Sequence, residues 1–169
     1  MFQPSTLIHL RKTTIDDLDF IDELESDPQN AKFIIPWSAE KHISSLITND
    51  ILHIIIEEKA GHTPVGYLIL AGLTNPNQSI ELVRITIREK GKGYGKEAFR
   101  LVKDWVFTKT NANRLWLDVK TTNDRAVKLY EKQGFTKEGT LRECLLTEGT
   151  FESLHIMAIL KREFFQNKK

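Results

Sequence analysis

Ser79-Ile80-Glu81-Leu82-Val83-Arg84-Ile85-Thr86-Ile87-Arg88-Glu89-Lys90-Gly91-Lys92-Gly93-Tyr94-Gly95-Lys96-Glu97-Ala98-Phe99 changes its period half-way along. Up to Ile87 it alternates as a strand, with Glu81, Val83, Ile85 and Ile87 on one face and Ile80, Leu82, Arg84 and Thr86 on the other. Beyond the glycines the period becomes helical to about Thr108, with Ala98, Phe99, Val102, Trp105 and Val106 forming a broad apolar face. Gly91, Gly93 and Gly95 free the intervening backbone to approach a ligand closely. The unpaired N–H groups and the positive dipole end of the helix make such a turn an anion site. Lys90, Lys92 and Lys96 add charge, so a phosphate or pyrophosphate is the natural guest. The common phosphate motifs fail on spacing. A dinucleotide fingerprint needs glycine where Lys96 stands, and a P-loop needs four residues between its glycines and Ser or Thr where Glu97 stands. On glycine spacing alone, a flexible turn with solvated lysines is an equal reading.

Working outward, Leu7–Arg11 reads as a first strand. Thr14 caps a helix from about Ile15 to Glu25, and Ser38 caps a second through Asn49 with Ile43, Leu46 and Ile47 turned inward. Pro28 and Pro36 bracket a loop between them. Leu52–Glu58 and Val65–Thr74 are strands, and Arg114–Val119 is another. Asn123 caps a helix bearing Ala126, Leu129 and Tyr130, which ends at Gly134. Thr136–Leu146 and Thr150–Leu160 close as a hairpin about Glu148-Gly149. The order is β-α-α-β-β-β-α-β-α-β-β, a single α/β domain over residues 1–169.

Composition narrows the class. The chain has 169 residues, 40% hydrophobic and 28% charged, as in one globular domain. Its longest apolar runs, Ile54–Ile56 and Val65–Leu73, are far short of a membrane span, and Met1–Thr6 has no signal-peptide pattern. Cys144 is the only cysteine, which excludes an internal disulfide and a cysteine-based zinc cage. His9, His42, His53, His62 and His155 are scattered without metal-ligand spacing, so no metal is expected. A cytoplasmic location is the expectation. The net charge of +1 argues against a nucleic-acid partner. It hides two local fields: Asp16, Asp17, Asp19, Asp22, Glu23, Glu25 and Asp27 stand without a basic residue, whereas Arg84–Lys103 is basic.

Lys90-Gly91-Lys92-Gly93-Tyr94-Gly95 resembles the acetyl-CoA loop of the GNAT-type N-acetyltransferases, with Lys90 where that family usually has Arg or Gln. Asn123-Asp124-Arg125-Ala126-Val127-Lys128-Leu129-Tyr130-Glu131-Lys132-Gln133-Gly134-Phe135 is similar to the family's Asn-x-x-Ala-x-x-x-Tyr-x-x-x-Gly-Phe element. The resemblance implies a single mixed, mostly antiparallel sheet of about seven strands flanked by four helices. It also implies direct attack of an amine on acetyl-CoA. Tyr130 would be the general acid for the leaving thiolate; a core tyrosine is the alternative. Glu81 would be the base or a water-holding carboxylate, or else a solvated strand-end acid. Backbone at Ile85, Thr86 and Ile87 would pair with the pantetheine arm. Lys90, Gly91, Lys92, Gly93, Tyr94, Gly95 and Lys96 would hold the pyrophosphate, and Asn123 would contact the cofactor while capping its helix.

The closing segment, with Glu138-Gly139, Leu141-Arg142, Gly149-Thr150-Phe151 and Met157, resembles the branch holding spermidine and ribosomal-protein N-terminal acetyltransferases. A small amine such as a polyamine is the expected acceptor, a protein N-terminus the first alternative and a catalytically silent acyl-CoA sensor the second. The acidic first helix is either an approach surface for such an amine or a solvated face. A homodimer or higher oligomer is expected by analogy with the family.

Overall fold

The computed structural model describes residues 2–166. Its strands are β1 (Ile8–Lys12), β2 (Ile51–Glu58), β3 (Thr63–Ala71), β4 (Ser79–Ile87), β5 (Arg114–Lys120), β6 (Thr136–Thr147) and β7 (Thr150–Leu160). They form one sheet in the order β1-β2-β3-β4-β5-β7-β6. Every neighbouring pair is antiparallel except β4 and β5, which run parallel. A tight turn closes the last hairpin because both Glu148 (φ 49°) and Gly149 (φ 79°) adopt left-handed backbone, as a two-residue type I′ connection requires.

Among the described residues six helices cover the sheet, where four were expected: α1 (Leu18–Ser26), α2 (Pro28–Ala31), α3 (Ala39–Leu46), α4 (Tyr94–Lys109), α5 (Asp124–Lys132) and α6 (Lys161–Gln166). A 3-10 turn at Ile15–Asp17 precedes α1. The segment read as a loop after Pro28 starts a helix instead. Asp27 caps it by accepting from Gln29 N at 2.8 Å, and proline at the first position loses no helical bond. Helix α6 forms where Glu163 Oε2 accepts from Leu160 N at 2.9 Å and Phe164 packs on Phe107 with ring centroids 5.1 Å apart.

The larger core lies between the sheet and α4, α5 and α6; Phe99, Val102, Val106, Leu68, Leu70, Leu115 and Met157 are buried in it. Burying each such side chain contributes about 1.5–3 kcal/mol, so this face supplies much of the stability. The opposite face, under α1–α3, has a smaller apolar cluster of Ile21, Leu24, Ile55, Tyr67 and Ile69. Polar groups fill the rest of that layer. Helix α3 turns His42 and Ser45 inward and leaves Ile43 (42%) and Ile47 (86%) exposed, the reverse of the expected Ile43 and Ile47 face. The reason is a partner on β2: His42 Nδ1 meets His53 Nε2 at 3.1 Å.

Strand β4 departs from simple alternation. Ile69 of β3 stands opposite Arg84, but the next residue, Leu70, stands opposite Leu82. Val83 is therefore an extra residue, a bulge that reverses the facing of everything after it. Glu81, Val83, Arg84 and Thr86 turn towards α1–α3, while Ile80, Leu82, Ile85 and Ile87 turn towards α4. The expected common face of Glu81, Val83, Ile85 and Ile87 is thereby split.

Gly66 sits opposite Ile87, where a Cβ would lie 2.4 Å from Thr86 O and 2.7 Å from Ile87 Cδ1. Gly66→Ala should therefore lower stability by about 1–3 kcal/mol, read as a fall in the urea midpoint at unchanged slope.

Candidate active site

Strands β4 and β5 pair only from Ser79 to Glu81, opposite Arg114 to Trp116. Beyond that point they separate, and the β5-facing edge of β4 has no strand partner. A cleft of about 1190 Å³ opens there. Its inner half is lined by Ile85, Ile87, the glycine loop, Phe99, Asn123, Leu129 and Tyr130; Phe33–Ser38, Glu81, Arg84, Thr86 and Asp118 form the other half.

The glycine loop meets the cleft at the start of α4. Gly91 (φ 95°) and Gly93 (φ 86°) hold left-handed backbone that a side chain would strain. Gly93 is the N-cap and offers no side chain to the helix, so the first N–H groups of α4 have no side-chain cap and are left for an anion. Lys90 and Lys96 line the cleft. Lys90 Nζ also donates to Asn30 Oδ1 at 2.6 Å, tying the loop to α2. Lys92 does not line the cleft; it pairs with Glu89 at 2.6 Å on the surface. Tyr94 lines the cleft too, but it is buried in the core and its hydroxyl is taken by Glu58 Oε1, to which it donates at 2.7 Å. Asn123 lines the cleft and accepts from Ala126 N at 3.2 Å as the cap of α5.

Tyr130 combines its two readings. Its ring packs on Phe99 at 5.2 Å and Phe135 at 6.2 Å, yet it is only half-buried and lines the cleft. Burial, and then the charge of Asp118, push its hydroxyl pKa well up, which keeps the proton on. Glu81 faces the same space from β4; burial and then Asp118 raise its carboxyl. Asp118 itself is open to solvent, but the cleft walls push it up as well. These three groups form one electrostatic set, since Asp118 acts on both others. Thr86 is buried, and its hydroxyl has no hydrogen-bond partner among the described residues.

This arrangement fits a nucleotide thioester: a backbone anion cradle at a helix start, then a strand edge able to pair with an amide-bearing arm. The sequence profile of the acetyltransferase (GNAT) domain matches residues 8–136. The chain belongs to that family. It is an N-acetyltransferase, and acetyl-CoA is the donor that the family uses. Among curated relatives, it is 28% identical over 168 residues to an uncharacterized N-acetyltransferase, p20, of Bacillus licheniformis, covering 92% of this chain and 93% of that one. It is 27% identical over 147 residues to a putative [ribosomal protein bS18]-alanine N-acetyltransferase of Bacillus subtilis, covering 86% and 91%. A crystal structure of spermidine N-acetyltransferase from Vibrio cholerae in complex with CoA and spermine superposes with a TM-score of 0.85 at 25% identity, covering 95% of this chain and 99% of that one. Another structure of that enzyme is dodecameric. The GNAT fold of those structures is the fold of this chain.

Sequence reasoning missed Asp118 and the place of Arg84 on the cleft wall, and of the segment Ile34–Ser38 it offered only Trp37, as a residue to line an acceptor site. Asp118 had one signal, a lone acid among the alternating Leu115, Leu117 and Val119. It becomes meaningful only once β5 lies beside Glu81. None of the seven acids between Thr14 and Pro28 lines the cleft. Asp17 is bound by Arg11 at 2.7 Å, Glu23 by Arg88 at 2.6 Å, Asp27 caps α2, and Glu25 is buried. No helix of the described residues is long and apolar enough to cross a membrane.

Gly93→Ala would force a side chain into left-handed backbone at a cost of about 1–2 kcal/mol. The KM for acetyl-CoA should rise roughly tenfold, with the acceptor KM unchanged, in a steady-state thiol-release assay.

Proposed function

We propose that this N-acetyltransferase acetylates a small cationic amine such as a polyamine. The observation that supports it is the pair Glu81 and Asp118. Both carboxylates face the cleft, and neither makes an ion pair or hydrogen bond to a described residue. The neighbouring acids Glu25, Glu57 and Glu152 are all paired. The nearby cations Arg84 and Lys120 are neutralised by Glu25 and Glu152, the latter at 2.7 Å. Two uncompensated carboxylates with raised pKa values are stabilised by an incoming cation. Similarity to spermidine acetyltransferases supports the same reading.

Bound acetyl-CoA supplies an activated acyl thioester for attack by the amine. An aliphatic amine of pKa near 10.4 is neutral in only about one molecule in a few thousand at pH 7. The chain must therefore remove a proton. Glu81, its basicity increased by burial and by Asp118, takes it from the amine directly or through water. Tyr130 keeps its hydroxyl proton for the leaving sulfur. The lysine pair Lys90 and Lys96 and the N–H groups after Gly93 hold the phosphates. We place a second copy of the chain on the β6–β7 hairpin. There β6 is an open sheet edge and Leu141 (49%), Leu146 (65%) and Phe151 (63%) are exposed.

A peptide N-terminus is favoured by one feature. Lys32 and Lys41 line the cleft without a carboxylate partner among the described residues, resting on Phe33 at 4.9 Å and Trp37 at 4.2 Å, where they would suit an acidic residue behind the amine. Thiol release with spermidine, spermine, amino acids, an aminoglycoside and short peptides separates the two. Saturation with spermidine and none with peptides is expected; a peptide-only signal would transfer the enzyme to the other class.

Tyr130→Phe should lower kcat about 10²-fold or more while leaving the acetyl-CoA KM unchanged. The acid limb of kcat/KM should lie above the usual carboxylate range. In Asp118→Asn it should move to lower pH, because the charge that raises Glu81 is gone.

A further inference from the structure

A buried charge network runs back from the cleft wall at Arg84 into the layer under α1–α3. Glu25 is 4% exposed at the end of α1 and Arg84 is 7% exposed on β4. Arg84 donates through one guanidinium nitrogen to Glu25 Oε1 and through another to Ile35 O. Tyr67 donates its hydroxyl to the same carboxylate oxygen, and Trp37 N donates to Glu25 Oε2 at 3.0 Å. His42 Nε2 stands 3.4 Å from Glu25 Oε1. Behind it, His42 Nδ1 meets His53 Nε2 at 3.1 Å and Thr13 Oγ1 meets His53 Nδ1 at 2.9 Å.

One proton arrangement satisfies every member. Thr13 donates to His53, His53 Nε2–H donates to His42, and His42 Nε2–H donates to Glu25. Burial and then the neighbouring His42 hold His53 down to about 4, in keeping with a neutral ring. Burial alone would raise Glu25. The donors His42 and Tyr67, the Arg84 charge and the Trp37 N–H outweigh it and bring Glu25 down to about 2.

Two of these bonds end on the segment between α2 and α3. Ile34, Ile35, Pro36, Trp37 and Ser38 line the cleft, and this stretch belongs to no helix or strand. Its anchors to the sheet layer are Arg84 to Ile35 O and Glu25 to Trp37 N. The Trp37 ring is held between Arg84, at 5.7 Å, and His42, at 5.4 Å. One carboxylate thus holds Trp37 directly and Ile35 through Arg84, while Lys120 Nζ holds the start of the segment at Lys32 O, 2.9 Å away; the segment walls the half of the cleft that holds Glu81 and Asp118.

We infer that Glu25 is a positioning residue for acceptor binding, holding the strap Ile34–Ser38 in place through Arg84 and Trp37 without touching the acceptor itself. The inference rests on the reading of this half of the cleft as the acceptor side. Glu25→Gln removes the charge that pairs with Arg84 and leaves the strap poorly held. The His53 end of the network lies away from the strap and supports the fold alone.

The test compares Glu25→Gln, Arg84→Lys and His53→Ala with the wild-type chain. Two readouts are used: amide hydrogen exchange followed by NMR, and steady-state kinetics with spermidine or whichever amine the panel shows to be turned over. In Glu25→Gln the Trp37 amide should exchange at least tenfold faster while the amides of Ile55 and Ile69 keep their protection. The acceptor KM should rise about tenfold, with kcat within threefold and the acetyl-CoA KM unchanged. Arg84→Lys, which replaces a fork by a point charge, should do the same to a smaller extent. His53→Ala should lose stability but leave the acceptor KM within twofold. An unchanged Trp37 amide in Glu25→Gln would overturn the inference, as would a faster amide with an unchanged acceptor KM. Equal effects of His53→Ala on KM would overturn it too, because the network would then act only as fold support. Should Glu25→Gln fail to fold, Arg84→Lys against His53→Ala decides. If no amine is turned over, the acceptor reading falls, while the exchange arm still supports or overturns the anchoring of the strap.

Discussion

The parting of β4 from β5 after Glu81 is the constraint on which the rest of this structure depends. Parallel neighbours in a sheet normally stay paired along their length, because an unpaired backbone edge inside a protein is costly. Here the extra residue Val83 bends β4 away after three paired positions, and the open edge becomes the floor of the cleft. Everything chemical is then a consequence of position. Glu81 stands at the last paired register and Asp118 two residues beyond its β5 neighbour Trp116. Tyr130 reaches the same space from α5, and the glycine loop delivers the helix start at its other end.

The two faces of the sheet solve burial differently. Under α4 the layer is largely hydrocarbon. Under α1–α3 much of the space is taken by Arg11, Asp17, Glu25, His42, His53 and Arg84, which the protein must pair one by one. Such pairing is weak evidence for stability, since an apolar replacement of the same shape can be as stable. It is strong on geometry. A carboxylate with donors on both oxygens fixes the directions of all of them, which an oily contact cannot do.

Much of this was legible in the chain. Period switches located β4 and α4, and the type I′ pair Glu148-Gly149 located the hairpin. The two motifs, Lys90–Gly95 and Asn123–Phe135, pointed to the family before any coordinates. What could not be read depends on one-residue events and on contacts distant in sequence. A bulge leaves no composition signal, so the faces of Val83 and Arg84 were indistinguishable from plain alternation. Helix α3 shows apolar Ile43 and Ile47, and only the presence of His53 on a neighbouring strand explains why His42 is the buried side instead. Proline at position 28 looked like punctuation, whereas Asp27 before it made it a helix start. The acids of the first helix looked like one field, but four of them have separate structural tasks.

The strand order also sets a timetable for synthesis. β7 lies between β5 and β6, pairing Arg114–Lys120 with Leu154–Leu160 on one side and the hairpin partner on the other. As the ribosome delivers the chain from its N-terminus, β1 to β4 can assemble while β5 holds them by only three residues. The strand bearing Asp118 therefore waits for β7, which is made after it. A nascent chain released short of Leu160 keeps its donor loop and first core but lacks the wall against which the chemistry is assembled.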